Sequence, residues 1–134
     1  MTSDLITRLS KLDAPDREVD AEIAVALDLF ETRPNKGWPD RIDYGSRNSD
    51  GSVTWPGHGF DQLIPRYTAS VDAAIALAER LFPGTEYEFT NLYNIVRVTI
   101  EMNGEYGGFH GEHVNSLPIA ILIALLRAKE ASNG

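Results

Sequence analysis

Cysteine is absent from the sequence. That excludes thiol nucleophiles, disulfide staples and zinc sites built on sulfur, while leaving the redox compartment open. Long apolar runs are also missing. The stretch Leu117 to Leu126 reaches about half of the roughly 20 residues that a membrane-spanning helix needs. The opening Met1-Thr2-Ser3-Asp4 lacks a basic segment followed by an apolar one, so no secretory signal is read and a cytoplasmic location is expected. Basic residues are in the minority, 12 against 20 acidic ones, for a net charge of −8. A chain of that sign repels phosphate backbones and anionic membrane surfaces, which argues against general nucleic-acid binding and membrane association.

What is present is ordinary for a folded chain. Apolar residues make up 43% and charged residues 24% of the sequence, which rules against disorder. The 134 residues suit a single domain, residues 1–134, around one continuous core. No internal repeat or low-complexity tract interrupts it.

Leu5, Ile6, Leu9 and Leu12 recur at helical spacing, which predicts a helix over Asp4 to Leu12. Pro15 ends it, and Asp16 can cap a second helix whose stripe is Val19, Ile23, Leu27 and Phe30. Glycine and proline then punctuate a loop-rich insert over about 31–64. Within it, Asp40–Gly45 and Ser52–Trp55 flank Asn48-Ser49-Asp50-Gly51, a hairpin signal. Thr68 and Ser70 offer caps to a third helix, with Val71, Ala74, Ile75, Ala78, Leu81 and Phe82 as its apolar stripe. Residues 86–90 and 95–102 alternate with period two and should pair antiparallel, turning Tyr87, Phe89, Val96, Val98, Ile100 and Met102 to the core. Asn103 to Asn115 is Gly-rich and reads as a loop. A last helix should start near Ser116, with Pro118 in its first turn, and is apolar all round until Arg127, the profile of a central buried helix.

Three stretches together resemble a known family. They are Leu5-Ile6-Thr7-Arg8-Leu9 leading to Pro15-Asp16-Arg17-Glu18-Val19-Asp20-Ala21-Glu22-Ile23-Ala24, then Pro65-Arg66-Tyr67-Thr68-Ala69-Ser70-Val71-Asp72-Ala73-Ala74, then Ser116-Leu117-Pro118-Ile119-Ala120-Ile121 with Leu125-Leu126-Arg127-Ala128. This pattern is similar to the phage ABA-sandwich domain family of bacteriophage and prophage proteins. Val19 stands where that family usually has Leu, and Ser116-Leu117-Pro118 replaces a tighter Thr-Pro opening. The resemblance implies an α+β fold: a three-layer α/β/α sandwich, with a small, mainly antiparallel sheet between helices. It implies a phage source but no activity.

Candidate sites compete with structural explanations. His110, Glu112 and His113 place two imidazoles and a carboxylate within four residues, a set that could hold a divalent metal, yet the surrounding glycines predict a solvent-exposed loop rather than a rigid scaffold. His58 could join only if the fold brings the loops together. Asp16, Glu18, Asp20 and Glu22 read as helix-start charge and a solvated face. Arg17 opposes the helix dipole and calls for a partner, either Asp72 or a ligand anion, with an internal salt bridge the stronger reading. Tyr67, Thr68, Ser70 and Asp72 sit at a helix start, where ligands meet N-termini and capping residues also gather. Trp38, Trp55, Phe60 and Tyr44 either line a pocket or pack beneath the long loop.

No catalytic set stands out, and no cofactor is implied. The expectation is a non-enzymatic accessory module binding a protein or a host small molecule, for example an anti-defence protein. Such a protein could sequester a nucleotide-type signal between subunits, with Arg17, Arg97, Tyr67 and Thr68 as donors, alongside Asp72, Trp38 and Trp55. Homo-oligomerisation stays open. The alternatives are a small metal-dependent hydrolase built on His110, Glu112 and His113, and a virion assembly component.

Overall fold

Leu5 and Leu9, four residues apart, are 5% and 0% exposed, so the N-terminal leucine spacing forms the expected amphipathic helix. The computed structural model that shows this describes residues 2–38, 40–55, 64–93, 95–101 and 108–133. In chain order the elements are α1 (Thr2–Lys11), α2 (Arg17–Ala26), β1 (Phe30–Pro34), β2 (Ile42–Arg47), β3 (Val53–Thr54), α3 (Val71–Leu81), β4 (Glu86–Leu92), β5 (Ile95–Glu101), β6 (Phe109–His113) and α4 (Leu117–Asn133). They group into two compact units, one formed by Met1–Asp16 with Arg66–Gly134, the other by Arg17–Pro65. The fold is α+β with two three-stranded antiparallel sheets, β1-β2-β3 and β4-β5-β6, where one sheet was expected.

The first unit is organised around α4. It packs on β5 and β6 and also meets α1 and α3, and Ile119 through Leu126 are each at most 1% exposed. A helix with neighbours on several sides has no use for a polar face, which explains its uniform composition. Each fully buried Ile or Leu contributes about 1.5–3 kcal/mol. Ser116 begins the helix as its cap, its Oγ accepting the Ile119 N–H at 3.2 Å. Ser70 does the same for α3, accepting the Ala73 N–H at 3.1 Å. Gly84 follows α3 with φ +81, a left-handed conformation that glycine adopts freely.

The sheet register sets Val98 opposite Phe89 on one side and Gly111 on the other. Alternation then gives Val98 and Ile100 to the core, both 0% exposed. Tyr87 and Val96 are half-buried and Phe89, on the edge strand, is 45% exposed, so the expected core face is covered only towards its β6 side. Met102 lies outside the described residues. The largest departure is β6: Phe109–His113, within the stretch read as a Gly-rich loop, is a strand paired along its length with β5. Gly111 is there because α4 crosses directly over it. A Cβ at that position would overlap the Ala120 carbonyl oxygen and lie 2.6 Å from the Ala124 nitrogen.

Tyr87 and Phe89 stack with centroids 6.1 Å apart. The Tyr87 hydroxyl is buried without a hydrogen-bond partner among the described residues, and burial first, then Glu79, raises its pKa above 10.0. An unmade hydrogen bond on a buried group opposes folding. Tyr87→Phe is therefore expected to leave stability unchanged or raise it by up to about 1 kcal/mol in urea denaturation at pH 7. The raised folded-state value means that this residue's protonation-linked stability is intact below about pH 10 and fades as pH rises through the native pKa. The phenylalanine variant should accordingly lose less stability than the parent in strong alkali. A drop of more than 1 kcal/mol at neutral pH would mean the hydroxyl has a partner after all.

In the second unit, α2 buries Val19, Ala21, Ile23 and Ala24. It stops at Ala26, although the apolar spacing suggested that Leu27 and Phe30 continue its stripe. Asp28 adopts φ 61, its N–H bonds the Val25 carbonyl, and the Leu29 N–H reaches back to the Ala24 carbonyl at 3.0 Å. This pair of bonds is a Schellman turn with aspartate in the left-handed position. Leu27 and Phe30 are still buried, 4% and 7% exposed, but from the turn and from β1. The expected hairpin is present as β2 and β3, closed by the Asn48 N–H on the Ser52 carbonyl at 2.7 Å and by Gly51 at φ +91. The Ser52 hydroxyl and N–H on Asp50 hold that carboxyl below its usual pKa.

Candidate functional site

Strand pairing assembles the principal cluster. On β5 and β6, Arg97 lies opposite Glu112 and Thr99 opposite His110. By alternation these four share the face opposite Val98 and Gly111. Arg97 Nε meets Glu112 Oε1 at 3.2 Å, both side chains about half exposed. His110 Nδ1 and Thr99 Oγ1 are 2.9 Å apart. From α4, Arg127 Nη1 donates to the His110 carbonyl at 2.7 Å.

Arg97, His110, Glu112 and Arg127 line a cavity of about 440 Å³, to which α1 brings Ile6, Thr7 and Ser10, and α4 brings Ile123. Thr7 Oγ1 donates to the Ser3 carbonyl at 3.1 Å and Ser10 Oγ to the Thr7 carbonyl at 2.7 Å. Their lone pairs remain as acceptors at the wall. Two guanidinium groups against one carboxylate leave the cavity at +1 with His110 neutral, in a chain whose net charge is −8. The cavity thus reverses the sign of its surroundings.

His113 is not part of this cluster. Odd spacing on a strand sends it to the opposite face from His110 and Glu112, where it is 7% exposed. Its Nε2 stands 2.6 Å from the Leu12 carbonyl, and its Nδ1 accepts the N–H groups of Asn115 and Ser116 at 3.1 and 3.0 Å. Since a carbonyl only accepts, Nε2 carries the proton. Both ring nitrogens are engaged, so His113 does not converge with His110 and Glu112, the set weighed for the metal-dependent alternative. Among the described residues no three His, Asp or Glu side chains are grouped to hold a metal ion.

The remaining candidates separate. Arg17 pairs with the buried Asp20 at 2.8 Å and donates to the carbonyls of Ile64 at 2.8 Å and Pro65 at 3.2 Å. Its carboxylate partner is three residues along its own helix, rather than Asp72. Tyr67 and Thr68 are 4% and 1% exposed, and Thr68 Oγ1 accepts the Asp16 N–H at 2.9 Å. Asp72 is exposed in the first turn of α3. Trp38 is 64% exposed with the Arg41 guanidinium 5.4 Å from its ring. Trp55 is half-buried under Arg33, 3.9 Å away, and covers Gly45. Burial, then Glu18 and Glu22, raise the Tyr44 pKa. His58 and Phe60 lie outside the described residues.

Of the residues singled out in the sequence, the cavity gathers Arg97, His110 and Glu112. Arg127, Thr7 and Ser10 are additions. In the sequence Arg127 marks only the end of the apolar run Leu117 to Leu126. Comparison of the chain with known protein families, curated proteins and solved structures found no match.

Proposed function

We propose that this chain is a non-enzymatic binding module that holds a small anionic molecule in the cavity between α1, β6 and α4, and that it serves a phage or prophage in the host cytoplasm. The observation that carries the reading is the positive cavity in an acidic chain: Arg97 and Arg127 face a space of about 440 Å³, within the usual range for small-molecule sites. Binding rather than turnover is supported by how the polar groups are tied. The Thr7 and Ser10 hydroxyls donate within α1, and His110 Nδ1 is occupied by Thr99. The resemblance of the three sequence stretches supports the phage source and a helix–sheet–helix layering of the chain. Sequestration of a host molecule in anti-defence is the role that fits these features.

A thermal-shift screen of anionic metabolites tests the reading. A ligand present at 100 times its Kd stabilises the protein by about 2.7 kcal/mol, enough to move the melting temperature by several degrees. The shift should vanish in an Arg97→Ala, Arg127→Ala double variant. A panel in which no anion shifts the parent protein would refute the proposal.

A further inference from the structure

We infer that the anion taken by this cavity is the phosphoryl group of a small phosphomonoester whose carbon body lies on Ile6; this rests on the binding reading above.

The donors are the first reason. Arg97 has its Nε on Glu112, which leaves the two terminal nitrogens of its guanidinium directed elsewhere. Arg127 has Nη1 on the His110 carbonyl, and among the described residues its other N–H groups meet no acceptor. His110 contributes Nε2, because the Thr99 hydroxyl at 2.9 Å from Nδ1 can donate there and leave the proton on Nε2. These donors come from three separate elements. A planar carboxylate accepts close to its own plane, so donors arriving from a third direction align poorly with it. A phosphoryl group offers three oxygens in a tetrahedral arrangement, which suits donors converging from β5, β6 and α4.

Size is the second reason. At about 440 Å³ the cavity exceeds what one inorganic anion fills, and the half-buried Ile6 in its wall gives the extra volume an apolar surface that an inorganic ion cannot use. Glu112 gives the site its distinctive signature. It competes with an incoming phosphoryl group for Arg97 and repels it, so binding has to displace an exposed ion pair.

The test is isothermal titration of the full-length chain with phenyl phosphate, inorganic phosphate and benzoate. Phenyl phosphate should bind tightest of the three. Arg127→Ala should weaken it about tenfold, the value of one charge-assisted hydrogen bond, and Arg127→Lys should recover only part of that. Glu112→Gln should tighten it about threefold to fivefold, the scale of an exposed ion pair. Circular dichroism of each variant confirms folding before titration. Benzoate binding as tightly as phenyl phosphate, or Glu112→Gln weakening phenyl phosphate, would overturn the phosphoryl assignment while leaving an anion-binding cavity. Phenyl phosphate binding unaffected by Arg127→Ala and by Arg97→Ala would place the anion elsewhere and overturn both.

Discussion

Gly111→Ala is expected to destabilise the protein by about 3–5 kcal/mol, the upper end of what a single substitution does. The new methyl carbon would overlap the Ala120 carbonyl oxygen and crowd the Ala124 nitrogen. Both are backbone atoms of α4, so no side chain can rotate away, and relief requires the helix to lift from the sheet. Lifting it would open the contacts of Ile119 to Leu126, the most deeply buried run among the described residues. Gly51→Ala is the control: Gly51 has φ +91 but a Cβ added there would meet nothing within 4 Å, so only backbone strain of about 1 kcal/mol should result. Urea denaturation of the two variants separates the cases. Equal, small losses would mean that α4 does not approach β6 as closely as described.

His113→Ala should cost about 2–3 kcal/mol through three orphaned backbone groups. The imidazole ties the Leu12 carbonyl, just past α1, to the N–H groups of Asn115 and Ser116 at the start of α4. The rigid ring points its donor and its acceptor in diverging directions, which a glutamine amide matches in chemistry but not in direction. His113→Gln should therefore recover part of the loss, not all of it. Amide exchange adds a local reading, since the Asn115 and Ser116 protons should exchange faster in the alanine variant while those of β5 keep their rank. If stability and exchange were both unchanged, the imidazole would be a bystander.

Much of the first unit could be read from periodicity. The leucines of α1, the Ser70 cap of α3, the alternation of β4 and β5 and the uniform apolarity of α4 each announce themselves within a few residues. Two errors share one cause, which is that contacts distant in sequence set the outcome. Leu27 and Phe30 continue a helical stripe on paper, but Asp28 takes a left-handed conformation and turns the chain into β1. Gly111 looks like a flexible spacer between two histidines, when it is the point at which a helix presses on a strand. The site suffered in the same way. Arg97, His110 and Glu112 were recognisable as chemistry-bearing groups, but the β5–β6 register decides that His110 and Glu112 act with Arg97 and that His113 does not. The contribution of Arg127 needs α4 to be laid along β6 before it can be seen.

The hydrogen bond from Arg127 to the His110 carbonyl also bears on polymer growth. Strands at the margin of a sheet recruit further strands through unpaired backbone groups. The outer margin of β6 has one of its carbonyls occupied by a bulky cation from α4. At the opposite margin, no described residue bonds the backbone of β4 outside the β5 ladder, and Phe89 and Leu92 are exposed there at 45% and 66%. Endless stacking needs two recruiting margins per molecule, whereas one suffices for a closed two-fold pair. A strand arriving at β6 would have to displace the Arg127 guanidinium from that carbonyl, whereas at β4 it would meet the exposed Phe89 and Leu92.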